Sequence, residues 1–348
     1  MDNIDINQNQ PILEIDYTQL MDLRVDFAFK LLFSKGEPRL LISLLNAIFA
    51  NKKIPRAVKS LTIKNPYMEK ESDEDKLSIL DIRAQIDDGT DILIEMHMYG
   101  LAELKAKTIR SWARAYGEEL EVGQNYTDQP PTIVIAFAEG QMKPVAGKLN
   151  PEANDKIHRF CMILDCEDFT VFTDAMELHY VDMKLFAKAV NETGGIAVAG
   201  TEDAMFSKWL SIITQKEITD KSIIKKACEG EEEISMAVNT LARQGMDKIA
   251  RQAYQRRKDE IYYYNKNMNE LEESKRKLKE SEAALAEKDS ALAEKDTKLA
   301  EKDSALVEKD SALAEKDTKL AEKDAALTEQ EKIIAELRSQ LEKSNAAQ

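Results

Sequence analysis

The spacing of apolar residues changes several times along the chain, and each change predicts an element. Residues 26–33 (DFAFKLLF) and 40–49 (LLISLLNAIF) carry apolar positions at helical spacing, with Gly36-Glu37-Pro38 between them as a turn. Residues 65–76 (NPYMEKESDEDK) are polar and read as a loop. Residues 77–86 and 91–98 then alternate with period two around Asp87-Asp88-Gly89, which predicts a hairpin. Helical spacing returns over 101–121. The unbroken apolar run TIVIAFA at 132–138 predicts a strand buried on both faces. A further strand is expected at 177–183, and residues 203–264 read as helical, with Phe206, Trp209, Leu210 and Ile213 on one face. Residues 1–20 are polar and aperiodic, which predicts a flexible tail. This order describes a mixed α/β domain followed by a helical extension.

The hairpin pattern also predicts its own register. Leu80, Ile82, Ala84 and Ile86 share a face with Ile92, Ile94, Met96 and Met98 only if odd positions pair with odd ones, because a slip by one residue mixes the faces. A three-residue Asp87-Asp88-Gly89 loop with glycine in the left-handed region sets that register. It puts Asp81 opposite Glu95, with Cβ atoms about 5 Å apart, and His97 opposite Ile79, beside the pair. Two facing carboxylates repel unless a cation lies between them, and a hard divalent ion prefers oxygen ligands. They can equally decorate the solvated face of an ordinary hairpin.

From Leu271 onward the period becomes seven. Leu278, Leu285, Leu292, Leu299, Leu306, Leu313, Leu320, Leu327, Ile334 and Leu341 follow without a slip, in near-copies of ALAEKDS, with no Gly or Pro after Gly245. Such a repeat predicts a left-handed coiled coil. Its seam is thin: with Leu at one core position, the other is Asp289, Asp296, Asp303, Asp310, Asp317 and Asp324, or else mostly Lys. A solvated single helix is the alternative reading. Boundaries are therefore expected at 1–20 for the tail, 21–200 for the α/β domain, 201–265 for the helical extension and 266–345 for the coiled coil.

Charge narrows the function classes. The 348 residues carry 49 basic and 64 acidic side chains, a net −15, and the heptad region contributes 16 basic and 21 acidic of these. Neither part is a general polyanion binder, since non-specific nucleic-acid affinity comes from neutralising phosphates. A local groove is not excluded: Lys105, Lys107, Arg110 and Arg114 cluster just after the hairpin, where they could bind a DNA backbone or form a solvated face over a Trp112–Tyr116 core. Three cysteines lack both disulfide-framework and zinc-ligand spacing, so reduced thiols in the cytoplasm are expected. No basic-then-apolar leader opens the sequence, and no run of about 18 apolar residues suggests a membrane span. P-loop, Rossmann and G-x-S-x-G patterns do not occur. His158 and His179 have no partner at ligand spacing and read as structural.

Several segments together resemble the recombination-promoting nuclease family, a PD-(D/E)XK group also described as transposases. They are Asp26-x-x-Phe29-Lys30-x-x-Phe33, Ile79-Leu80-Asp81-Ile82-Arg83-Ala84, Ile94-Glu95-Met96-His97, Arg110-x5-Tyr116, Gly123-x2-Tyr126, Glu177-Leu178-His179-Tyr180 and Arg251-x2-Tyr254. The resemblance implies a restriction-endonuclease-like α/β core and a Mg²⁺- or Mn²⁺-dependent DNA endonuclease. It implies Asp81 as the metal-binding Asp and Glu95 as the acid of the (D/E)XK motif. The third motif position, Lys in most of the superfamily and commonly Gln in this family, is His97 here. A neutral His97 can act as a base or an extra ligand, or it can mark weakened catalysis. Asp26 or Lys30 on the first helix is expected to complete the site. The resemblance also suggests roles in recombination, mobile elements or phage defence. DNA is the expected partner, with a homodimer through the nuclease domain and the coiled coil. The competing class is a nuclease-fold interaction protein that acts through its coiled coil.

Overall fold

The structure is a computed structural model that describes residues 15–64, 82–97, 101–118, 123, 125–140 and 155–345. Two compact units emerge, residues 1–265 and residues 266–348. The first is built on a six-stranded sheet in the order β1-β2-β3-β4-β6-β5. The strands are β1 (Leu61–Lys64), β2 (Ile82–Ile86), β3 (Asp91–His97), β4 (Thr132–Ala138), β5 (His158–Leu164) and β6 (Val171–Asp182). β1, β2 and β3 are antiparallel neighbours, β4 lies parallel to β3 and to β6, and β5 closes the far edge antiparallel to β6.

Both faces of the sheet are covered, which is why β4 is buried at every one of its seven positions. One face packs against α1 (Asp26–Phe33), α2 (Pro38–Ala50), α4 (Met183–Thr193), α5 (Ala204–Ile213), α6 (Ser222–Cys228) and α7 (Glu232–Met246). Ile82, Ala84, Ile92, Ile94, Ile133, Ile135 and Phe137 point into this large core. Its centre is aromatic: Phe29 stacks at 4.7 Å from Phe33, which lies 5.5 Å from the fully buried Trp209. The opposite face is covered by α3 (Leu101–Glu118), over a smaller cluster of Leu93, Val134, Ala136, Ala138, Leu178 and Tyr180 with Leu104 and Ala115.

Local chemistry explains the joints. An added Cβ at Gly36 would run into the Leu32 carbonyl oxygen, so only glycine fits where α1 turns into the Pro38-initiated α2. Asp182 and Asp203 cap α4 and α5 by accepting from the Leu185 and Phe206 amides. The hairpin loop runs over Asp87-Asp88-Gly89, with Gly89 at φ +87° and its amide donating to the Ile86 carbonyl. The resulting register pairs Ile82 with Ile94, Arg83 with Leu93, Ala84 with Ile92 and Gln85 with Asp91. These four pairs follow the register expected from the pattern.

The structure bears on three of the sequence readings. Residues 15–20 are not all loose: Ile15 and Tyr17 pack against the large core and Leu20 is buried. The segment 203–264, read as helical, consists of α5, α6, α7 and the start of α8 (Lys248–Asn345). The odd-numbered face of the hairpin is not solvated, because α3 lies over it. The described cysteines 161, 166 and 228 are free thiols, and among the described residues no helix is long and apolar enough to cross a membrane. The second unit is the remainder of α8, whose heptad leucines are 45% to 67% exposed in the single chain.

Candidate active site

β3 carries polar residues on the face under α3, and they divide by position. At its first residue, Asp91 is fully buried and accepts from Arg83 Nε at 2.8 Å, while Arg83 reaches Glu118 of α3 at 2.9 Å. That pair ties the hairpin to the end of α3 and uses up its charges. At the other end, Glu95 is 1% exposed yet close to the rim of the sheet. Its Oε1 accepts from the Ser111 hydroxyl at 2.8 Å and its Oε2 lies 2.6 Å from His97 Nε2. Lys107 Nζ stands 3.5 Å from the same Oε2.

The helix places these partners by its period. Among the described side chains of α3, Leu104, Thr108, Ser111 and Ala115 are the buried ones, spaced as one face of a helix. Ser111 therefore points inward, and Lys107, one turn before it, reaches the same carboxylate from the half-exposed edge. Burial pushes the Glu95 carboxyl up, but His97, Lys107 and Ser111 outweigh it and hold the group below the ordinary range. Glu95 is thus a buried carboxylate kept ionised at neutral pH. His97 Nε2 faces the Glu95 carboxylate and donates to it, with Nδ1 on the other side of the ring.

The rim is braced from the other face. The Glu139 amide, just past β4, donates to the His97 carbonyl at 3.1 Å. The Glu139 side chain pairs at 2.5 Å with buried Arg24, which also holds Asp22 and Glu217. Asp26 and Lys30 form an i,i+4 pair at 3.7 Å on α1, and Asp26 Oδ1 accepts from Arg257 Nε of α8 at 2.8 Å. Among the described residues, the structure joins Asp26 to Arg257 and not to the Glu95 cluster. Asp81 lies outside the described residues. Of the basic stretch, Lys107 joins Glu95, Arg114 pairs with Glu118 at 3.4 Å, and Lys105 and Arg110 lie on the same helix. Trp112 and Tyr116 stack at 5.1 Å, with Trp112 packed on the small core.

Sequence reasoning missed Ser111 and the Arg24–Glu139 brace. A signal existed for Ser111, since a hydroxyl at a buried position of an amphipathic helix demands a polar partner. His158 and His179 are buried and bonded to each other at 2.9 Å, a structural pair.

Among the described residues of this cluster the one carboxylate is that of Glu95. Among the described residues no three His, Cys, Asp or Glu side chains gather as a metal cage, and Mg²⁺ is held through one or two carboxylates with water and substrate oxygens filling the rest. A mixed sheet covered on both faces thus presents, at the end of one strand, an ionised glutamate and a histidine two residues apart beside a helix lysine. The chain belongs to the PD-(D/E)XK nuclease family transposases, whose pattern matches residues 23–273. Comparisons with curated proteins and with solved structures gave no match.

Proposed function

We propose that the protein is a metal-dependent DNA endonuclease with a restriction-endonuclease-like core at residues 21–200. The observation that supports this most is the ionised, nearly inaccessible Glu95 at the end of β3, fixed from three sides by His97, Lys107 and Ser111. Asp81 is the second carboxylate of the site in this reading. Four hairpin pairs already run in the register that, continued, sets position 81 against Glu95. Glu95 and Asp81 would hold Mg²⁺ or Mn²⁺, and the ion would supply a more acidic bound water and charge stabilisation at the phosphoryl oxygens. Ser111 fixes the direction of the Glu95 carboxylate. Lys107 Nζ, beside Oε2, orients the water or a phosphoryl oxygen, the task that a motif lysine would perform at position 97. His97, two residues from Glu95 on the same strand face, is the residue that would take the proton of an attacking water. Asp26 and Lys30 stay candidates for the outer part of the site. Lys105, Arg110 and Arg114 are candidates for contact with the DNA backbone.

Plasmid nicking with Mg²⁺ or Mn²⁺, wild type against Asp81→Ala and Glu95→Gln, tests the proposal. Cleavage that requires metal and disappears in both variants is the expected result. A wild type that cleaves no DNA under either metal favours the second reading, in which the fold serves interaction. That reading draws on the exposed leucine row of α8, which under either reading is proposed as the seam of a homodimer.

A further inference from the structure

β5 is the last strand of the sheet, and its outer side meets no other strand among the described residues. An edge strand presents a row of backbone donors and acceptors, which chains usually guard with charge, proline or a bulge. From Phe160 onward β5 has no such guard: Phe160, Cys161, Met162, Ile163 and Leu164 are five apolar residues in a row. The register shifts against β6 fall where residues intervene on β6, so β5 itself carries no inserted residue.

Every residue from 163 to 172 is exposed, so this end of the β5–β6 ribbon has neither face covered. Ile163, Leu164, Phe169, Val171 and Phe172 lie within it, with Phe169 60% and Phe172 76% exposed. A two-stranded ribbon with bare faces is marginal on its own. The tip is nevertheless held in one shape by its own backbone. The Phe169 amide donates to the Asp165 carbonyl at 3.0 Å, and the Asp165 amide to the Thr170 carbonyl at 2.9 Å. Phe169 adopts φ +62°, a strained conformation for a bulky side chain, and leaves its ring in solvent. An ordered apolar tip of this kind suits contact with another surface.

Charge selects the occupant. Asp165, Glu167, Asp168 and Asp174 are exposed around the tip, which disfavours a polyanion such as DNA. Lys156 is exposed at the other end of β5. An antiparallel pair of identical strands sets the start of one against the end of the other. With the twofold axis at Met162, the middle of the apolar run, Lys156 falls level with the partner's Asp168. The apolar runs then lie side by side, and the basic end of each strand meets the acidic tip of the other.

We propose that β5 and the tip of its ribbon pair antiparallel with β5 of a second copy, joining two sheets edge to edge. The proposal concerns the first unit alone and rests neither on the nuclease reading nor on the leucine row of α8.

Zero-length carbodiimide cross-linking of the full chain at tens of micromolar, read by mass spectrometry, tests it. Lys156 and Asp165 are nine positions apart along an extended strand, about 30 Å, too far to be joined within one chain. A link from Lys156 to Asp165, Glu167 or Asp168 is therefore a link between copies, and it is the expected product. Lys208 and Glu231, 2.7 Å apart within one chain, give the internal control. The Leu164→Asn/Phe169→Gly/Phe172→Asn variant removes apolar surface that is exposed in the single chain, so it should unfold near the wild-type midpoint. Its link between copies should fall about tenfold while the Lys208–Glu231 link persists. A wild type that forms the Lys208–Glu231 link but no Lys156–tip link would overturn the proposal without help from the variant. A link that persists undiminished in the folded variant would overturn it too. Links from the tip to α8 lysines of another copy, in place of Lys156, would assign the ribbon to a different surface and overturn the edge pairing.

Discussion

Protonation of the buried histidine pair should cost the fold stability below neutral pH, and the hydrogen-bond chain fixes the sign. Asn51 Oδ1 accepts from the amides of Glu202 at 2.6 Å and Asp203 at 3.1 Å, so its Nδ2 faces His158 Nδ1 at 3.0 Å. His158 must then accept at Nδ1 and donate from Nε2 to His179 Nδ1 at 2.9 Å. His179 Nε2 carries the remaining proton toward Glu177 Oε2 at 3.8 Å. Burial is the main force that lowers His158, with His179 and Lys52 adding to it. His179 is also lowered by burial, against the pull of Glu177. Burial pushes Glu177 up, but His179 and the Arg56 fork outweigh it and leave the carboxyl low.

Histidines with depressed native values stay neutral while the unfolded chain takes up protons near pH 6.5, so stability is lost as pH falls through that value. For His158 alone, the linkage relation gives about 2 kcal/mol between pH 7 and pH 5. Glu177 works in the same direction at lower pH, because its depressed value contributes stability that fades as it protonates. Urea unfolding of the full chain at pH 7, 6 and 5 measures the total, and His158→Gln, an uncharged donor and acceptor, isolates the histidine. The variant should lose stability at pH 7 but show a pH slope smaller by about one proton. Equal slopes in wild type and variant would refute a neutral, buried His158.

Other expectations follow from the same geometry. Glu95→Gln keeps an acceptor for Ser111 but removes the anion, so calorimetric Mg²⁺ affinity should fall at least tenfold; equal affinity would remove Glu95 from the metal site. His97→Ala should slow cleavage by about 10²-fold, with His97→Gln retaining more, and equal rates for all three would make His97 a bystander. On the role proposed for its ammonium beside Glu95, Lys107→Gln should lower kcat more than it raises KM; a change in KM alone would assign Lys107 to general DNA affinity. The isolated 266–348 segment should associate weakly at pH 7 and more strongly at pH 4, where its Asp row loses charge. A helical monomer at both values, at tens of micromolar in sedimentation, would exclude the arm as a self-association seam.

What the sequence disclosed depended on how local the cause was. β4 was readable residue for residue because an unbroken apolar run has few alternatives, and the hairpin register followed from alternation and one Gly-bearing loop. β5 was missed because its half-buried pattern alternates weakly, and the first half of β6 because Val171 and Phe172 are exposed there. The short edge strand β1 carries too few residues to show any period. Around the candidate site, Glu95 and His97 were legible from the hairpin, but their enclosure was not. The lid is α3, a separate element, and the spacing within 91–98 cannot say what covers it. Asp26 shows the same limit, since its partner Arg257 lies 231 positions away along the chain.

The sheet divides the first unit into two cores of very unequal size, and Glu95 lies on the side of the smaller one. The cluster beneath α3 is the smaller of the two, so lifting α3 exposes less apolar surface than opening the large core. Amide protons of α3 should then exchange through local opening, well before those of β4, which is buried on both sides. Each such opening withdraws Lys107 and Ser111 from Glu95 and lets water reach the carboxylate. Exchange of α3 ahead of β4 would make assembly of the site a local equilibrium of one helix, separate from global unfolding.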